Sequence, residues 1–110
     1  MEIRVHADHR LPAEDELVSL VGSEVLAGLG PCAERVLTTH VQVTSHRAVH
    51  AGPPELLCLL EVAPREHAPL AVTHRAATRE DAVRGAVGDM RGVLERMFRR
   101  IDARVLQHSA

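Results

Sequence analysis

The sequence predicts a single small α+β domain, a four-stranded mixed sheet with two helices packed on one face. Three observations predict it. An opening segment alternates polar and apolar residues, two long stretches repeat apolar residues at helical spacing, and three Val-, Thr- and Leu-rich runs lie between them. With 110 residues and 45% apolar content, the chain suits one core and leaves no room for a second. Its expected bounds are 1–104 for the domain and 105–110 for a short C-terminal tail.

Glu2-Ile3-Arg4-Val5-His6-Ala7 reads as a strand with one buried face. Asp8-His9-Arg10 breaks the alternation, and Pro12 with Glu14, Asp15 and Glu16 suits the positive end of a helix. Leu17, Val18, Val21, Val25 and Leu29 then recur at helical spacing, widened by Leu20 and Leu26. Gly30 is placed to supply a left-handed cap, and Pro31 forbids continuation of the helix. Val36 to Ser45 reads as a strand with Leu37, Thr39, Val41 and Val43 on one face. Residues 46–54, ending in Gly52-Pro53-Pro54, read as a loop. Glu55 to Ala63 and Leu70 to Arg75 read as two strands whose short connection makes an antiparallel hairpin.

The final element is the clearest. Val83, Ala86, Val87, Met90, Val93, Leu94, Met97, Phe98 and Ile101 keep the 3, 4, 7 spacing, with Thr78 as N-cap and Glu80 and Asp81 in the first turn. Gly85, Gly88 and Gly92 lie off the stripe, and each costs about 1 kcal/mol against Ala in a helix interior. That helix must lean on tertiary packing, and close approach by a partner is one reason for the glycines. The order is therefore β-α-β-β-β-α, with the first two strands parallel across a helical crossover and the rest antiparallel.

Composition narrows function. Phe98 is the only aromatic residue, so there is no aromatic platform for stacking unpaired bases. All 13 basic residues are Arg, set against 15 carboxylates for a net charge of −2. Phosphate binding therefore requires arginines clustered on one face. Eight histidines add positive charge below about pH 6.5. Cys32 and Cys58, with 25 residues between them, read as idle thiols of a reduced compartment. Met-Glu-Ile-Arg-Val-His does not read as a signal peptide, and the longest apolar run, Leu56 to Leu60, is too short to span a bilayer. The expectation is a cytoplasmic protein without a membrane partner.

The local sequence resembles the ribosome hibernation-promoting factor and ribosome-associated inhibitor family. Cys58-Leu59-Leu60-Glu61-Val62-Ala63-Pro64 and Pro69-Leu70-Ala71-Val72-Thr73-His74-Arg75 look like the third and fourth strands of short bacterial members. Thr78 to Val87, then Met90, Leu94 and Ile101, look like that family's last helix, so the resemblance covers about residues 2–102. It implies a short-form protein that binds the small ribosomal subunit (16S rRNA) near the decoding region, sterically blocks messenger and transfer RNA, and acts under stress or in stationary phase. The family's basic pattern resembling Asp-Lys-Leu-x-Arg falls here on Gly88-Asp89-Met90-Arg91-Gly92. Asp89 stands at the Lys position and Gly92 at the Arg position, so the basic face is thinned.

The arginines that remain set the candidate RNA contacts. Arg84, Arg91 and Arg99 fall within about 80° on a helical wheel, flanked by Arg96 and Arg100, and form either a phosphate ladder or a solvated face in which Arg91 and Glu95 pair. Arg75 and Arg79 stand where the last strand meets the last helix, beside His74, in reach of a helix N-terminus. Arg35 and Arg47 bracket the second strand. The histidine pairs His46/His50, His6/His9 and His40/His74 do not make the three or four converging ligands that zinc requires. No nucleophile elbow or phosphate-cradling Gly-rich loop is present, and Glu61 on a strand is either buried or, as is commoner, solvent-facing or paired with an Arg. The expectation is no enzyme, no cofactor and no small-molecule substrate. The alternative reading is a protein-interaction module or homodimer of the same fold that no longer binds ribosomal RNA.

Overall fold

Period-2 alternation in β1 (Glu2–Ala7) turns Ile3, Val5 and Ala7 toward the interior and leaves Glu2, Arg4 and His6 exposed. The computed structural model describes residues 1–7, 14–46 and 55–108. After β1 come α1 (Glu14–Leu29), a 3-10 segment (Gly30–Arg35), β2 (Val36–His46), β3 (Glu55–Pro64), β4 (Leu70–Ala76) and α2 (Arg79–His108). The sheet order is β1-β2-β3-β4, with β1 parallel to β2 and both later pairs antiparallel. This is the β-α-β-β-β-α mixed sheet that the periodicities predict.

Both helices pack on one face. Leu17, Val21, Val25 and Leu29 of α1 and Val83, Ala86, Met90 and Leu94 of α2 close over Val41, Val43, Cys58, Leu60 and Val62 of the sheet. A fully buried Leu or Met contributes roughly 1.5–3 kcal/mol relative to exposure, so these aliphatic side chains offset the lack of aromatics. Among the described residues the buried polar side chain is Thr39, whose hydroxyl donates to the Met1 sulfur at 3.1 Å.

Two expectations change. Leu37 is 52% exposed, and Val36 is buried in its place. Val36 faces Pro64 and Thr38 faces Ala63, so Leu37 is the extra residue of a bulge that resets the alternation. Val18 and Leu26 are exposed, because the α1 stripe that meets the core is the narrower Leu17, Val21, Val25, Leu29 row. Gly30 takes the left-handed conformation expected of it, φ +56°, and α1 ends at Leu29, followed by the 3-10 segment Gly30–Arg35. The last helix, α2, runs through His108.

The stretch Asp15–Arg35 is apolar and long enough, by composition alone, to cross a membrane. Here α1 proper has 16 residues, about 24 Å of helix against ~30 Å of hydrocarbon, and one face of it forms core.

Side-chain size fixes how closely the helices approach. A Cβ on Gly28 would strike Val87 of α2, so the two helices cross at this glycine. A Cβ on Gly85 would strike the His74 ring on β4, which accounts for one of the three α2 glycines without an external partner. Thr78 caps α2, its Oγ1 accepting from the Asp81 N–H at 3.1 Å.

Candidate nucleic-acid interface

The arginines of α2 divide into two sets with different surroundings. In the N-terminal half, the Arg84 Nε donates to Glu24 Oε1 of α1 at 2.9 Å, and Glu80 lies 4.0 Å from the same guanidinium. One turn beyond Val87, the Arg91 Nε donates to Glu95 Oε1 at 2.7 Å and its Nη1 to the Gly28 carbonyl at 3.5 Å. The hydrogen bond that Arg84 donates to Glu24 raises its pKa above the ordinary value, and the one donated to Glu95 does the same for Arg91. These two members of the expected ladder are therefore paired with carboxylates.

The C-terminal half differs. Arg96, Arg99 and Arg100 line one shallow depression of about 320 Å³. Arg100 and Arg104 line a neighbouring one of about 270 Å³ with His67, Met97 and Ile101. The Arg99 Nε reaches only the Glu95 backbone carbonyl, at 3.4 Å. Among the described residues no ion pair to a carboxylate is formed by Arg96, Arg99, Arg100 or Arg104. Arg104 was outside the sequence-derived set, although its position four residues beyond Arg100 on an unbroken helix was the available signal.

Arg75 and Arg79 stand elsewhere. Arg75 is exposed on the strand face opposite to His74, and Arg79 begins α2 with interactions of its own. Arg79 and Arg96 lie 17 positions apart, about 26 Å along the helix, so the seven expected contacts are spread along α2 and the end of β4. Arg47 lies outside the described residues.

Arg35 is a clasp. Its Nη2 donates to Glu66 at 2.7 Å and to Asp102 at 3.0 Å, while its guanidinium stacks 4.1 Å from the centre of the Phe98 ring. Hydrogen bonding, to Asp102 first and then Glu66, raises its pKa. The clasp ties the 3-10 segment and the β3–β4 turn to α2 just where Arg99, Arg100 and Arg104 project. Beside it, Pro31, Cys32, Arg35, Glu95, Phe98, Arg99 and Asp102 line an open groove of about 530 Å³.

Cys58, His74 and Asp89 follow one another in space in a sequence of types that nucleophilic enzymes use. Cys58 faces His74 across the β3–β4 ladder, and His74 Nδ1 lies 3.0 Å from Asp89 Oδ2. The thiol is fully buried, however, and burial pushes its pKa up to about 11, so it stays protonated and closed to substrate. His40 lies on the outer face of the sheet and His74 on the helix face, so they do not meet. Among the described residues no three His, Cys, Asp or Glu converge on a metal-sized site. His9 and His50 lie outside the described residues, and Glu61 is exposed.

The class these features define is an α+β domain with one helix-covered and one open sheet face and a basic helix end. No family model matches the sequence, and no curated protein matches it. Solved structures do. A ribosomal subunit interface protein from Coxiella burnetii superposes with a TM-score of 0.70 at 10% identity, over 88% of this chain and 97% of that one. The N-terminal domain of Protein Y from Thermus thermophilus superposes with a TM-score of 0.67 at 15% identity, over 88% and 99%. The chain has the fold that its resemblance to the hibernation-promoting factor family implied.

Proposed function

We propose that the protein associates with ribosomes in the bacterial cytoplasm. It binds the small subunit through phosphates of its RNA and blocks the decoding region by occupancy, under stress or in stationary phase. The observation that carries this reading is the arginine cluster Arg96, Arg99 and Arg100, extended by Arg104, free of carboxylate partners among the described residues. Two structures that share the fold support it, one named for the ribosomal subunit interface. Guanidinium forks grip phosphate oxygens in pairs and release counterions on doing so. With Asp102 held by Arg35, the segment from Arg96 to Arg104 presents a local positive field that the net charge of −2 conceals.

The test is binding of the purified protein to small ribosomal subunits across a salt series. Four phosphate contacts predict an affinity that falls with a log–log slope of about 3 against salt concentration. Absence of binding at low salt, or a flat salt response, would reject the phosphate mechanism.

A further inference from the structure

The seam between α1 and α2 contains a second arginine pair, and each guanidinium there is filled. Arg84 is held by Glu24 from the opposite helix, with Glu80 behind it. Arg91 is held by Glu95 and is seated over the α1 terminus, where its Nη1 meets the Gly28 carbonyl. Gly30 leaves room for that seat, since a Cβ at this position would stand 3.1 Å from Arg91 Nη1. Both carboxylates approach the guanidinium Nε edge at 2.7–2.9 Å, the approach a phosphate oxygen would use.

We infer that Arg84 and Arg91 form a latent phosphodiester site on the α1–α2 seam, closed by the protein's own Glu24 and Glu95. The inference rests on the proposed reading of α2 as an RNA-contacting helix and adds its regulation. Polyanions meet the open arginines Arg96, Arg99 and Arg100 first, and the seam contributes only to a ligand that displaces the two carboxylates. The Arg84 and Arg91 side chains are 54% and 44% exposed, and their partners Glu24 and Glu95 are 23% and 44% exposed, so none of the four belongs to the buried core.

Immobilised heparin, a polyanion that needs no ribosome, supplies the test. The salt concentration that elutes the full-length protein is compared across a cycle of glutamine variants. Glu24→Gln/Glu95→Gln should elute at clearly higher salt than wild type. Adding Arg84→Gln/Arg91→Gln should remove that gain, whereas the same arginine changes in the wild-type background should leave elution nearly unchanged. Glu55→Gln/Glu61→Gln, which removes two exposed carboxylates on β3 that pair with no arginine among the described residues, controls for net charge and should give a smaller gain. If the arginine changes weaken retention as much in wild type as beside Glu24→Gln/Glu95→Gln, the arginines are already open and the lock is refuted. An equal gain from the sheet-face control refutes it as well. Heparin retention reads the lock independently of ribosome binding, so a protein that shows the cycle yet ignores ribosomes would reject the ribosomal reading alone.

Discussion

The two halves of α2 share one helix and one apolar stripe, yet they are held in opposite ways. From Arg79 to about Arg91 the helix is fixed from three sides: Gly28 and Glu24 of α1, His74 of β4, and a floor of buried Val83, Ala86, Val87 and Met90. Beyond Phe98 full burial ends, Ile101 being only partly buried, and Val105 and Leu106 are 59% and 74% exposed. There the Arg35 clasp ties the helix through Asp102, and among the described residues Arg96, Arg99, Arg100 and Arg104 have no carboxylate partners. The difference teaches that charge on a helix becomes available to a partner only where packing stops supplying internal acids.

The largest effect should separate the halves by stability. Leu94→Ala, at a fully buried position, should cost about 2–5 kcal/mol in urea unfolding, whereas Leu106→Ala should stay within about 0.5 kcal/mol. Alkaline unfolding probes the core beneath the first half. The unfolded Cys58 thiol ionises near 9.0 and the native one at about 11, so the native state holds the extra proton between those values. Stability should therefore fall as pH rises through that window, by about 2–3 kcal/mol, and Cys58→Ala should remove this component.

Helix contact comes next. Gly28→Ala drives a methyl into the buried, β-branched Val87 and should lower stability by about 1–3 kcal/mol. Gly88→Ala meets nothing within 4 Å and should raise it by about 1 kcal/mol. The smallest effect belongs to the second half. Arg35→Ala releases Asp102, Glu66 and Phe98, an effect of about 1 kcal/mol. It should appear as about five-fold faster amide exchange confined to residues 99–108, with exchange near Met90 unchanged.

Much of this fold was legible because its signals are local. The alternation in β1, the hairpin of β3 and β4, the Thr78 cap and the long stripe of α2 each lie within one stretch of chain. The Leu37 bulge was not legible, since only the pairing of Val36 with Pro64 and Thr38 with Ala63 reveals the extra residue. The site was less legible for the same reason. Arg91–Glu95 is an i,i+4 pair and could be read, but Arg84–Glu24 joins residues 60 apart and Arg35–Asp102 residues 67 apart. A helical wheel placed Arg84, Arg91 and Arg99 together by angle and could not see that α1 brings its own carboxylate to the first of them. Gly85 likewise looked like an opening for a partner until His74 filled it.

The most direct test of the account is co-sedimentation with small ribosomal subunits at low salt for two variants of the full chain. Arg96→Gln/Arg99→Gln/Arg100→Gln should abolish pelleting, and Arg84→Gln/Arg91→Gln should pellet nearly as wild type does. If the two variants lose binding equally, or if only the second loses it, the division of α2 into a closed half and an open half is wrong.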